Sequence, residues 1–139
     1  VLVSNDGFNK YINGLNKLLP DEMKVDGKSL LKVSLLHQIA KAVMFEENTN
    51  EWEIKNRGIL WQYKQREGLM RCGSRSLWMC QSYGINFTGL EAEAMTIMDK
   101  ESDDAYYEYH ASTLSMIIKM SNELVYRDFK IKYENSQKQ

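Results

Sequence analysis

Apolar positions in this chain recur at helical spacing over long stretches, and short polar breaks separate those stretches. Phe8, Tyr11, Ile12, Leu15, Leu18 and Leu19 lie three and four apart, which predicts an amphipathic first helix. Asn5 or Asp6 supplies its cap and Pro20 its stop. A polar connection over 20–28 follows. From Ser29 to Phe45 the pattern is strongly apolar and predicts a second helix, with Leu36, Ile39, Ala40 and Val43 sharing a face. Asn50 and Glu53 stand in capping-box register and open a third helix to about Glu67, with Trp52, Ile59 and Tyr63 on one side. Gly58 interrupts it, so 58–63 also reads as a turn and a short strand. Ser74 caps a short fourth helix through Tyr83, closed by a left-handed Gly84 with Ile85 making the apolar contact. Thr88-x-x-Glu91 is the clearest capping box and begins a fifth helix to about Lys100.

The longest pattern runs from Asp103 to about Tyr133. Ser102 can cap it, Asp103 and Asp104 suit the positive end of the macrodipole, and Arg127, Lys130 and Lys132 suit the negative end. Tyr107, Ala111, Leu114, Ile118, Val125 and Phe129 form one row. Tyr109, Met116, Met120, Leu124 and Ile131 form a second that widens the apolar surface. The terminal 129–133 also alternates at period two, as a strand would, and 134–139 is a polar tail expected to fray. The fold class expected is all-α: a single compact bundle of five to six helices packed around the long C-terminal helix, one domain over 1–139.

Composition changes this picture little. A 43% hydrophobic and 27% charged content with a single Pro belongs to a folded globular chain. The net charge of −1 gives no field to collect nucleic acid, and no apolar run is long enough to span a membrane. The chain opens on Val1, which fits a processed exported protein or a trimmed one. No charged-then-apolar signal pattern is read within the residues ahead of the first predicted helix.

Candidate chemistry is sparse. Cys72 and Cys80 form a disulfide only if Cys72 lies in an irregular segment folded back on the fourth helix. The plain alternative is two free thiols, one of them buried. No histidine stands near them in sequence to activate a thiol, since His37 and His110 fall in other helices. Arg66, Arg71 and Arg75 surround Gly68 and Gly73 before a helix N-terminus, a place that can hold a phosphate or carboxylate, although no phosphate-loop motif is present. No His-Glu-x-x-His or similar spacing exists, so neither a metal nor any cofactor is expected. Asn86-Phe87-Thr88 matches a glycosylation acceptor, but its Thr serves better as the helix cap.

Glu46 and Glu47 end the predicted second helix, and Gly58-Ile59-Leu60-Trp61-Gln62 follows. That arrangement resembles muramidases and lytic transglycosylases, in which a helix-end Glu precedes a Gly-(Leu/Ile)-Met-Gln segment. The resemblance implies Glu46 or Glu47 as general acid on a glycosidic oxygen. The chain departs from that pattern in lacking Ser after Glu, in carrying Trp61 inside the second segment, and in having no Tyr-Asn-Ala-Gly stretch. Every catalytic constellation is thus incomplete, while core and cap signals are strong. The function expected first is a non-enzymatic protein-binding module of the inhibitor, immunity or assembly-factor type. Its partner is another protein, met by an aromatic and Met-lined surface that includes Trp52, Trp61, Arg71, Arg75 and Trp78.

Overall fold

The computed structural model describes residues 5–64, 70–99 and 112–136. The described elements, in chain order, are helices α1 (Asn5–Leu18), α2 (Gly27–Leu36) and α3 (Lys41–Met44), strand β1 (Phe45–Glu47), helix α4 (Glu51–Arg57), strand β2 (Trp61–Tyr63), and helices α5 (Cys72–Ser82), α6 (Gly89–Thr96) and α7 (Thr113–Ser136). The class is therefore all-α, with one small antiparallel hairpin of β1 and β2.

Local chemistry explains most boundaries. Beyond α1, the Asn16 amide bonds both N–H and C=O of Val25 at 2.9 and 3.0 Å, pinning the 20–28 connection back onto the helix. Asp26 caps α2 by accepting from Lys28 and Ser29 N–H. Thr88 and Glu91 complete the expected capping box of α6. Gly84, at φ +80°, closes α5, and Ile85 N–H reaches Cys80 O at 3.0 Å while its side chain packs on the core.

Four expectations need correction. The single helix from Ser29 to Phe45 is broken after Leu36 by tight turns, in which Ala40 N–H is taken by the Ser76 hydroxyl at 3.1 Å; the chain then leaves α3 as a strand. The third helix stops at Gly58, which sits in the left-handed region at φ +65° and turns the chain into β2. The C-terminal helix does not run on from Asp103, because Ser112 is its non-helical cap; 102–111, with Ser102, Tyr107, Tyr109 and His110, lie outside the described residues. At its other end the helix continues to Ser136, so 129–133 is helical and not a strand. The fourth correction concerns the disulfide. Cys72 and Cys80 lie in one helix eight residues apart, about 12 Å by helical rise, and both are free thiols.

The core is built from Phe8 and Ile12 of α1, Leu30 and Val33 of α2, Ala94, Met95 and Ile97 of α6 and the turn after it, and Leu114, Ile117 and Ile118 of α7. The first half of α7 packs on α1, α2 and α6. Its second row instead faces out: Met116, Met120, Leu124 and Ile131 are all exposed.

Three carboxylates from the 89–99 segment join the other helices to this core. Glu91 accepts from its own cap N–H at 2.9 Å, from Lys32 Nζ at 2.7 Å and from the Ser29 hydroxyl at 2.9 Å. Glu93 accepts from Ser112 N–H at 2.8 Å and from the Ser115 hydroxyl at 2.7 Å, at the start of α7. Asp99 accepts from Gly73 N–H and Ser74 N–H at 2.7 and 2.6 Å, and from the Ser74 hydroxyl, at the start of α5. Ser74 therefore lies inside α5 and donates to the capping carboxylate instead of supplying it. Gly73 has to be glycine, since a Cβ there would collide with the Met95 carbonyl.

Asp99→Ala leaves two first-turn donors without acceptors and is expected to cost about 2–3 kcal/mol in urea unfolding. Asp128→Ala, which removes only the exposed i,i+4 pair with Lys132, changes stability by less than about 0.5 kcal/mol. Burial pushes the Glu91 carboxyl up, but the bonds from Lys32, Thr88 N–H and Ser29 outweigh it and hold it below the ordinary glutamate value. Its contribution is thus complete above the unfolded-state value and is lost as pH falls through the folded one. Melting temperature followed from about pH 6 to 3 should drop more steeply for the wild type than for Glu91→Gln.

Candidate functional site

Residues 45–64 form an arm. Among the described residues, β1 has substantial contacts only with β2 and α3, and α4 packs on none of the body helices to that degree. The arm is held instead by its own polar bonds. The buried Asn48 amide donates to Glu53 Oε2 at 2.8 Å and to Ile59 O at 2.9 Å, and its oxygen accepts Asn50 N–H at 2.9 Å. Asn50 in turn caps α4 through Trp52 and Glu53 N–H. Glu53 completes no box; its carboxylate is spent on Asn48 and lies 4.0 Å from Arg57.

The hairpin pairs Phe45 with Tyr63, Glu46 with Gln62 and Glu47 with Trp61. Bonds from Asn48 N–H to Leu60 O and from Lys64 N–H to Met44 O flank this ladder. The alternation makes 45–63 and 47–61 the non-hydrogen-bonded pairs, whose side chains approach most closely. These four residues share one face of the hairpin. The Phe45 and Tyr63 rings lie 4.4 Å apart between centroids, tilted by 35°. Trp61 and Tyr63 are 58% and 62% exposed, which is the state of residues that the helical core does not use.

The predicted site residues are dispersed over several elements. Glu46 and Glu47 lie on β1, not at a helix end, and both are exposed. They point to opposite faces, with Glu46 accepting from the Gln62 amide at 3.3 Å. Trp52 is exposed on α4 and Trp61 on β2, so both belong to the arm. Trp78 is exposed on α5, in the body. Arg71 and Arg75 stand at the first turn of α5, where Arg71 donates to Asp99 O. The anion that the sequence suggested for this helix start is supplied by the protein itself, as the Asp99 carboxylate. Burial pushes both cysteine thiols above their ordinary range, opposite to activation.

A concavity of about 470 Å³ lies between α3 and the outer half of α7, with Gln38, Lys41, Asn122, Glu123, Tyr126 and Phe129 on its walls. Three of its polar side chains, Lys41, Gln38 and Asn122, are linked in a run of bonds that ends on His37. Lys41 donates to Gln38, Gln38 to the Asn122 oxygen at 3.1 Å, and the Asn122 amide to His37 Nε2 at 2.9 Å. His37 is buried and stacked on Phe8, and its Nδ1 faces two carbonyls at 3.0 Å, so that nitrogen carries the proton. Burial holds its pKa below the ordinary histidine value, against the opposing hydrogen bonds from Asn122, Val33 and Ser34. The neutral ring is thus a linker of α1, α2 and α7. The pairing of Phe45 with Tyr63 has little signal in the sequence: Trp-Gln-Tyr alternates apolar and polar, but Phe-Glu-Glu does not. No metal-ligating cluster occurs among the described residues.

No protein-family model, curated protein or solved structure matches the chain. Asn48→Ala removes three bonds internal to the arm. It is expected to raise amide exchange across 45–64 by at least about tenfold while leaving exchange in α6 within about twofold, read by hydrogen–deuterium exchange.

Proposed function

We propose that the protein is a non-enzymatic binding domain that engages another protein through the aromatic face of the 45–64 arm. The helices gathered about α7 act as its base, and an inhibitor, immunity or assembly role fits this arrangement. The observation that carries the reading is the exposure of Trp61 and Tyr63 side by side on a segment that the core does not need. Large aromatic side chains with few rotatable bonds provide most of the energy at protein interfaces. The arm is stapled from within by Asn48, so the face is presented in a fixed shape and little ordering entropy remains to be lost on binding. The exposed Met116, Met120 and Leu124 row on α7 offers a second, adaptable contact area.

The wild-type chain, immobilised, is expected to retain from a lysate of its source a protein that a Trp61→Ala, Tyr63→Ala double variant loses. Trp78→Ala, an equally exposed tryptophan outside the arm, retains it. Both variants should keep the wild-type circular dichroism and melt within about 3 °C of it. Equal retention by the double variant overturns the reading.

A further inference from the structure

We infer that the aromatic face of the arm receives an arginine side chain presented by the partner, with Glu47 as its counter-ion; the inference rests on the protein-binding reading above. Each carboxylate of the arm but one is engaged. Glu46 bonds Gln62, Glu51 pairs with Lys55, and Glu53 serves Asn48 and faces Arg57. Glu47 has no hydrogen bond or ion pair among the described residues, and the fold makes no use of its charge. It stands directly across the ladder from Trp61, on the face that also carries Phe45 and Tyr63.

The chemistry of that face selects its occupant. Aromatic ring faces carry negative potential and attract cations, Trp and Tyr more strongly than Phe. A partner that covered the face with apolar side chains would strip water from Glu47 and leave its charge unpaired. An anionic partner would meet repulsion. A guanidinium satisfies both components at once, because its plane stacks on an indole or phenol and its edge forks onto a carboxylate. An ammonium can do only one of these well, so arginine is preferred to lysine.

The full-length ¹⁵N-labelled chain, titrated with N-acetyl-arginine amide, provides the test. The Trp61 indole N–H signal is expected to move along a saturable curve. Glu47→Gln weakens that binding about three- to fivefold, whereas Glu46→Gln, on the opposite face, leaves it unchanged. The neutral N-acetyl-norleucine amide produces no saturable shift, and N-acetyl-lysine amide binds more weakly than the arginine probe. A Glu47→Gln response equal to wild type, or a norleucine response equal to arginine, overturns the assignment. Absence of arginine binding, with partner retention still lost in the Trp61→Ala, Tyr63→Ala variant, refutes the arginine site and leaves the protein-binding reading standing. Saturable arginine binding with retention intact in that variant refutes the protein-binding reading instead.

Discussion

A helix that begins inside a protein has backbone donors that water cannot reach, and here one short segment answers that demand for several helices. Residues 89–99 provide Glu91, Glu93 and Asp99, whose carboxylates meet α2, α7 and α5 respectively. Two of these contacts complete a cap across space. At α7, Ser112 accepts Ser115 N–H at 3.2 Å as a normal cap does, but the residue at the third helical position is Ser115. The carboxylate that a capping box would place there comes from Glu93 on α6, which takes Ser112 N–H. At α5, Arg71 occupies the cap position and has no side-chain cap bond, and Asp99 takes its place.

This constraint also accounts for α6 itself. Ala94 and Met95 are fully buried and Glu91 nearly so, and helices α2, α5 and α7 all lie against it. A helix so enclosed can afford a buried carboxylate only where donors are fixed around it, as Lys32, Ser29 and Thr88 N–H are around Glu91. The close approach of α5 follows from the same contact, since Gly73 lies where any side chain would meet the Met95 carbonyl. Packing and capping here are one arrangement viewed from two sides.

The sequence made the local part of this legible and left the rest dark. The Thr88–Glu91 box, the Asn50 cap of α4 and the Gly84 closure depend on residues within about four positions of one another, and periodicity and cap chemistry read them directly. Asp99 and Glu93 act on donors 25 and 19 residues away, for which no local signal exists. The arginines around Gly73 did point to an anion, and the carboxylate found there is internal. The apolar run from Ser29 to Phe45 hid a break because Ser76, from α5, relieves the turn at Ala40. In α7 the second apolar row satisfied helical spacing yet lies outside the core; spacing fixes which residues share a face, but not whether a neighbour covers it.

The division between body and arm bears on function through the same physics. In the body, many polar side chains join helices, and in the cleft beside α7 a sequence of bonds runs from Lys41 through Gln38 and Asn122 to His37. In the arm, Asn48 and Asn50 satisfy the backbone from within and leave the outward face of the hairpin without structural duties. A residue with structural duties is constrained by the fold, and one without them is constrained only by what it meets. Phe45, Glu47, Trp61 and Tyr63 are gathered on one face by the pleat of two three-residue strands. Large aromatic groups exposed at that density increase the risk of non-specific association. A charged residue among them opposes indiscriminate sticking, and in the proposed binding mode Glu47 would add to the face's selectivity by favouring a partner of opposite charge.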